Sequence, residues 1–280
     1  MNKTIRQNLH THSTFDDGKS SMEEMVQSAI AKGFSTLGFS GHSPNSIDTC
    51  SMSMEGMNNY LETFRLLKEK YKDQISLHCG IELDSLSDID LSPFAYIIGS
   101  IHYLNTSSGP IAIDESRETF DHLLHDIYGG DIQKLTADYY AALIDMIRSR
   151  DFDILGHIDL ITKYNEDETY FPFTADWYLE QARKAVDAGI EKGVIFEMNT
   201  GAISRGYRTM PYPHASLLDY MAKKGAKLCI NTDCHNAIAL DQSMNLSLTL
   251  ARQAGFTHLY APSEDGFSPV SIDSFAGELD

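Results

Sequence analysis

Long apolar runs are the first feature that this sequence lacks. No stretch approaches the roughly 18 consecutive apolar residues that a membrane span needs. The opening residues, MNKTIRQNLHTHS, contain no apolar segment of signal-peptide length. We therefore expect a cytoplasmic protein that has no membrane partner.

Basic residues are also scarce. Lys and Arg number 22 against 40 Asp and Glu, and the formal net charge is -18. The negative potential of such a protein repels polyanions. Long contacts with a nucleic acid backbone also need clustered Lys and Arg. The composition argues against a nucleic acid partner, whereas a small phosphorylated molecule can still be captured locally. The oligomeric state is left open.

Cysteine is sparse and shows no paired spacing. Cys50, Cys79, Cys229 and Cys234 form no CxxC motif, so the sequence lacks the ligand pattern of a zinc ribbon and that of a thioredoxin-like pair. We expect all four to be reduced thiols.

The sequence does contain short β-like runs that alternate with helical patterns, which is typical of a parallel sheet in an α/β fold. Residues 55–71 and 174–192 have helical spacing, and Ser20 with Glu23 predicts a capping box for an earlier helix. A run at residues 257–261 is expected to be an edge strand outside the main sheet. The seven runs expected to form that sheet are residues 5–9, 35–40, 75–83, 95–101, 153–155, 194–198 and 227–231.

Two more helical patterns, at residues 115–128 and 132–150, fall between the fourth and fifth runs. We interpret them as a helical insertion, at about residues 105–150, over one mouth of a barrel. No repeat, low-complexity tract or linker interrupts the chain, so a single domain over residues 1–280 is favoured over two small ones.

Residues of metal-ligand type recur where the predicted strands end. A parallel barrel opens all these ends on one face, where barrel enzymes assemble their active sites. Residues two apart in an extended segment also point to the same side of the chain. The residues are His10, His12, His42, Glu82, His102, His157, Asp233 and His235, together with Asp17 from the first loop. We expect their side chains to converge.

Nine nitrogen and oxygen ligands exceed the roughly four to six that one ion needs. Two to three divalent transition metals are therefore expected. Because the set contains no thiolate, Zn, Mn and Fe are the candidates. Glu82 and Asp233 are the natural bridging groups.

Seven short segments match a known family in order. They are LHTHS at residues 9–13, DG at 17–18, GHS at 41–43, GIE at 80–82, SIHY at 100–103, GHID at 156–159 and NTDCH at 231–235. Together they resemble the PHP family, which is named for polymerases and histidinol phosphatases. The resemblance implies a single distorted (β/α)7 barrel with a metal centre at the C-terminal ends of the strands.

The resemblance also implies a trinuclear centre in which Glu82 bridges two ions. By motif position, the first ion takes His10, His12, Glu82 and Asp233, the second takes Glu82, His102 and His157, and the third takes Asp17, His42 and His235. Many relatives carry His at the position of Asp17, so the identity of the third metal is open.

Residues 199–213, NTGAISRGYRTMPYP, are similar to the loop that marks the histidinol phosphatases within this family. The similarity implies hydrolysis of L-histidinol phosphate to L-histidinol and phosphate, a step of histidine biosynthesis. We expect Arg205 to grip the phosphate dianion bidentately. Lys163, Arg117 and Arg208 are further candidates for a substrate contact.

The expected chemistry is attack on phosphorus by a hydroxide that bridges two ions, since metals lower the pKa of bound water to near 7. The remaining metal and Arg205 would neutralise charge on the equatorial oxygens. Asp233 and His235 are the candidates for protonation of the leaving alkoxide, and His42 completes the expected catalytic set. No covalent phosphoenzyme is expected.

Other classes of protein stay open. A PHP exonuclease or nucleotide phosphatase would keep the fold and change the substrate, and a non-enzymatic metal-binding domain would keep the ligands without turnover. An amidohydrolase would need a carboxylated Lys or a carboxylate on the central strand, where this chain offers His102. Residues 88–92, DIDLS, match the DxDx[ST] pattern of haloacid-dehalogenase phosphatases, but no buried apolar strand precedes them, which favours a loop.

Overall fold

The computed structural model describes residues 5–275. In chain order, the strands of this part are β1 (Gln7–Asn8), β2 (Thr36–Phe39), β3 (Ser76–Asp84), β4 (Tyr96–Ser100), β5 (Tyr103–Thr106), β6 (Gly109–Ala112), β7 (Ile154–Leu155), β8 (Ile195–Asn199), β9 (Lys227–Asn231), β10 (His258–Ser263) and β11 (Gly266–Ser271). Seven of them form one sheet in the order β1-β2-β3-β4-β7-β8-β9. Every neighbouring pair in this sheet is parallel.

The sheet curls until its two outer strands meet. The Leu9 backbone N–H donates to Asn231 Oδ1 at 2.8 Å. Farther along, the backbone N–H of His12 donates to the Cys234 carbonyl at 3.0 Å. The expected distorted (β/α)7 barrel is therefore confirmed.

Helices connect the barrel strands and cover the outside of the sheet. Their bounds are α1 (Met22–Ala31), α2 (Met54–Tyr71), α3 (Arg117–His122), α4 (Ile132–Ser149), α5 (Asp176–Lys192), α6 (Gly201–Ser204), α7 (Ala215–Lys223) and α8 (Met244–Ala254). A π-helix, Leu123–Ile127, continues α3. Among the helices of residues 5–275, none has both the length and the apolar character that crossing a membrane requires.

The cap of α1 lies one residue later than the sequence predicts. Ser21 Oγ accepts from the backbone of Glu24 at 3.3 Å, and Glu24 Oε2 accepts from the backbone of Ser21 at 2.7 Å. Ser20 is unavailable as a cap because its hydroxyl accepts from the backbone N–H of Ala237 at 3.1 Å. The capping-box prediction of Ser20 with Glu23 is therefore wrong by one position.

The segment between β4 and β7 differs from the predicted insertion. It begins with an antiparallel hairpin of β5 and β6, which leads into α3 and the π-helix. Helix α4 then packs along α5 and against β4. It is the crossover helix of a βαβ unit, so the expectation that both helical patterns lie over a barrel mouth is wrong for α4.

The interior of the barrel is apolar near the beginnings of its strands. Tyr96 dominates this layer, and its hydroxyl lies 2.5 Å from the Leu9 carbonyl and 3.1 Å from the Phe39 carbonyl. The ring fits because Gly80, on the neighbouring strand, has no side chain there. The buried side chains of the layer are Leu9, Tyr96, Ile98, Ile154, Ile195 and Cys229.

A hairpin of β10 and β11 covers this apolar end. Tyr260 and Phe267 pack against the interior layer. The Phe267 and Tyr96 rings meet edge to face, with their centroids 6.4 Å apart. Gln7 Nε2 donates to the Tyr260 carbonyl at 2.9 Å. The run predicted at residues 257–261 lies outside the seven-stranded sheet, as expected, and the polar site must open at the opposite end.

We predict that Gly80→Ala lowers the free energy of unfolding by about 1 to 3 kcal/mol, because a methyl group there would overlap the Tyr96 ring. Urea titrations of Gly80→Ala, Tyr96→Leu and the double variant measure this effect. The smaller Leu side chain should relieve most of the overlap, so the two changes should not be additive. Additive losses would show that the ring does not set the space at Gly80.

Candidate metal centre

The structure brings all nine predicted ligand residues together at the C-terminal ends of the barrel strands. Three groups have ligand atoms that lie within 4.8 Å of one another. They are His12, Asp17, His42 and His235; His10, His12 and Asp233; and His42, Glu82 and His102. Because the groups share His12 and His42, they form one continuous cluster, which His157 joins through Glu82.

Glu82 lies at the centre of the cluster. Its Oε2 atom is 3.2 Å from His10 Nε2, 3.0 Å from His42 Nδ1 and 3.7 Å from His12 Nε2. Burial acts to raise the pKa of Glu82, but the surrounding imidazoles, His10 foremost, outweigh it. The pKa therefore lies well below its usual range, and the carboxylate is ionised at neutral pH.

The second oxygen of Glu82 faces the other side of the barrel. Its Oε1 atom is 3.1 Å from His157 Nε2 and 3.4 Å from His102 Nε2. Ser100, at the end of β4, donates its hydroxyl to the same oxygen at 2.7 Å. One carboxylate thus faces two sets of imidazoles, which is the arrangement that a bridging ligand requires.

Several atoms of the cluster have no hydrogen-bond partner although they are buried. They include His10 Nε2, His12 Nε2 and Glu82 Oε2. Unpaired buried polar atoms are costly, and here they face one another. Nitrogen and carboxylate donors without thiolates suit divalent transition metals, so these residues fit a multinuclear metal centre.

Carboxylates behind the cluster orient three of its imidazoles. The pairs are His10 Nδ1 with Glu197 Oε1 at 2.8 Å, His12 Nδ1 with Asp16 Oδ2 at 2.6 Å and His102 Nδ1 with Asp84 Oδ2 at 3.2 Å. A hydrogen bond from Nδ1 leaves Nε2 free to face a metal. No sequence pattern singled out these carboxylates, although Asp84 has the same strand parity as Glu82.

Glu197 is the most enclosed of these carboxylates. It lies on β8, which contributes no residue to the cluster, and it is fully buried. Besides His10, it accepts from Asn231 Nδ2 at 2.9 Å, Asn199 Nδ2 at 2.9 Å and the backbone N–H of His157 at 3.1 Å. Glu197 thus connects three strand ends of the centre.

Arg205 contacts the side of the cluster that Asp233 and His235 form. Its Nη2 lies 3.1 Å from Asp233 Oδ2, and its Nη1 lies 3.2 Å from the Asp233 carbonyl and 2.9 Å from His235 Nδ1. Gly201 permits this approach, because a Cβ there would come within 2.6 Å of Asp233 Oδ2. Arg205 therefore positions Asp233 as well as facing the cavity above it.

A cavity of about 240 Å³ opens over the centre. Of the predicted substrate contacts, Arg205 and Lys163 line it. Arg208 is 4% exposed, and its side chain is directed to Thr162 at 2.5 Å. Arg117 packs against aromatic rings outside the cavity. Neither Arg208 nor Arg117 lines the cavity, so their substrate contacts stay predictions that the geometry of the cavity does not support.

Residues 88–92, which match the haloacid-dehalogenase pattern, lie outside the strands and helices. Asp90 accepts from the backbone and hydroxyl of Ser92, both at 2.9 Å, which closes a local turn. The expectation of a loop is confirmed at this position.

Two curated proteins are similar to this chain in sequence. A "Probable histidinol-phosphatase" of Schizosaccharomyces pombe is 26% identical over 260 residues, which cover 85% of this chain and 82% of that protein. The histidinol-phosphatase of Bacillus subtilis is 22% identical over 253 residues, which cover 81% of this chain and 92% of that protein.

The fold is also found in a solved structure. The histidinol phosphate phosphatase of Lactococcus lactis, complexed with zinc, L-histidinol and phosphate, has a TM-score of 0.70 at 22% identity. The match covers 94% of this chain and 98% of that chain. A family model described as the PHP domain matches residues 8–201. With these motifs, this barrel and this match, the chain belongs to the PHP family.

Proposed function

We propose that this chain is a metal-dependent phosphomonoesterase that hydrolyses L-histidinol phosphate to L-histidinol and phosphate. The observation that carries the proposal is the convergence of three ligand groups around Glu82, on the floor of a cavity whose wall contains Arg205 and Lys163. The named activity of the relatives and the zinc, L-histidinol and phosphate of the Lactococcus structure support this substrate.

The proposed cofactors are two to three divalent ions of Zn, Mn or Fe. Bound ions would supply Lewis acidity, lowering the pKa of water and offsetting the charge of the phosphate. The residues that would hold them are His10, His12, Glu82 and Asp233 for one ion, Glu82, His102 and His157 for a second, and Asp17, His42 and His235 for a third.

Arg205 and Lys163 are the proposed phosphate contacts. The Arg205 side chain is 28% exposed, so part of the guanidinium faces the cavity while the rest holds Asp233. Guanidinium binds phosphate oxygens in a fixed geometry, whereas the Lys ammonium acts as a point charge. The two cations lie on the wall above the centre, where the equatorial oxygens of the ester would be placed.

Asp233 and His235 are the proposed candidates for protonation of the leaving alkoxide, and His42 completes the proposed catalytic set. His42, Asp233 and His235 all line the cavity. General acid catalysis requires a proton donor within hydrogen-bond distance of the leaving alkoxide, and these residues border the space in which the ester would lie. We further propose that residues 1–280 form a single domain and that the protein is cytoplasmic.

We predict that protein reconstituted with Mn or Zn releases phosphate from L-histidinol phosphate in preference to nucleotides and sugar phosphates. Phosphate release across this panel, with metal content counted on the same sample, is the measurement. Glu82→Gln is the negative control, because it removes the carboxylate that faces both sets of imidazoles. Full metal loading with preference for another ester would contradict the substrate, and full loading without turnover would contradict enzymatic function.

We predict that Glu197→Gln weakens metal affinity about 10- to 100-fold, as expected for loss of a partner that orients a ligand. All four groups that are hydrogen-bonded to Glu197 are donors. In the variant, the side-chain NH₂ would therefore face another donor whichever way the amide is turned. Metal retained after dialysis against a chelator is the measurement. Glu191→Gln, at an exposed position of α5, is the matched control. Equal retention in both variants would show that Glu197 does not orient the centre.

A further inference from the structure

Three carboxylates line the cavity without belonging to the proposed ligand set: Asp48, Asp114 and Glu115. Glu115 is exposed and accepts from the Thr119 hydroxyl at 3.1 Å, which directs its carboxylate toward α3. Asp48 accepts from the backbone N–H of Cys50 at 2.8 Å within its own turn. Asp114 is the carboxylate whose position is set by contacts with the metal-centre strands.

Asp114 is fixed beside the cluster through its backbone. The preceding residue, Ile113, is fully buried and donates its N–H to the carbonyl of the proposed ligand His102 at 2.9 Å. The Asp114 carbonyl accepts from Lys163 Nζ at 2.6 Å and from the Tyr164 hydroxyl at 2.7 Å. Backbone contacts to the segments that follow two barrel strands therefore fix the position of Asp114 beside the cluster.

Only one of the two oxygens of the Asp114 carboxylate accepts a hydrogen bond from the described residues. Its Oδ2 atom accepts from Lys163 Nζ at 3.1 Å. Its Oδ1 atom accepts no hydrogen bond from the residues that the structure describes, and the side chain is 21% exposed. One oxygen of Asp114 therefore remains free for a cationic donor in the cavity.

The proposed substrate supplies such a donor. L-histidinol phosphate carries an ammonium group on the carbon next to the one that bears the phosphate. When the phosphate occupies the metal floor, this short spacing keeps the ammonium inside the cavity that Asp114 lines. Burying it there requires a negatively charged or hydrogen-bonding partner.

We infer that Asp114 binds the ammonium group of the substrate and so selects phosphate esters of vicinal amino alcohols. The inference rests on the proposed function. It assigns Lys163 a second task, because the Lys163 ammonium holds one Asp114 oxygen and leaves the other for the ligand. Charge-assisted hydrogen bonds of this kind are the strong ones, so recognition depends on the full charge of the carboxylate.

Asp114→Asn separates substrate recognition from support of the loop. The backbone carbonyl bonds to Lys163 and Tyr164 do not involve the substituted atoms, and an amide oxygen can still accept from Lys163. The loop should therefore stay in place while the charge is lost. Glu118→Gln is the matched control, since it removes one negative charge from an exposed position of the neighbouring helix α3.

The test compares two esters on metal-reconstituted protein: L-histidinol phosphate and its analogue without the amino group, imidazolylpropyl phosphate. Asp114→Asn should lower kcat/KM for L-histidinol phosphate about 10- to 100-fold, mainly through KM, because a hydrogen bond to a charged group is lost. The analogue should be hydrolysed equally by the variant and the unmodified protein. Glu118→Gln should leave both esters unaffected.

Equal losses of kcat/KM on both esters would overturn the inference, because they would show that Asp114 only supports Lys163 or the loop. Equal kcat/KM for the two esters in the unmodified protein would also overturn it, since the ammonium would then not be recognised. Failure of the proposed function gives a different result. In that case the unmodified, metal-loaded protein would not hydrolyse L-histidinol phosphate.

Discussion

The buried carboxylate of Glu82 determines how the surrounding residues must be arranged. At 1% exposure, an ionised carboxylate is costly unless its charge is paired and its oxygens are contacted. The groups that compensate it are imidazoles from other strand ends, with His10 and His42 facing one oxygen and His157 facing the other. Closure of the barrel and compensation of the charge therefore depend on each other.

The imidazoles in turn need an outer layer of acceptors. Asp16 and Glu197 accept from His12 and His10 and keep the opposite nitrogens directed inward. Glu197 shows that a strand without a ligand still shapes the centre, because three of its four donors come from other strand ends and the fourth, Asn199, comes from its own strand. Below this polar layer, the apolar layer around Tyr96 closes the barrel. In the part of the chain that the structure describes, the cavity therefore opens at the other end of the barrel.

The alternating pattern was enough to predict a parallel α/β sheet, and the common direction of parallel strands was enough to predict that the ligand residues converge. The closed (β/α)7 barrel was implied by the resemblance to the PHP family. The failures depend on distant contacts. Ser20 loses its predicted capping role to Ser21 because Ala237 occupies its hydroxyl. Glu197 and its partner His10 are far apart in the sequence, so no spacing pattern links them. The direction of a long side chain was equally beyond prediction at Arg208, which packs inward.

A crystal structure of the zinc- or manganese-reconstituted protein, with anomalous scattering measured at the edge of the metal used, would locate the bound ions. We expect two or three anomalous peaks around the Glu82 carboxylate, with His10 and His157 among the ligands on opposite sides. Peaks only elsewhere on the protein, or none at all in metal-loaded crystals, would contradict a metal centre built at these strand ends.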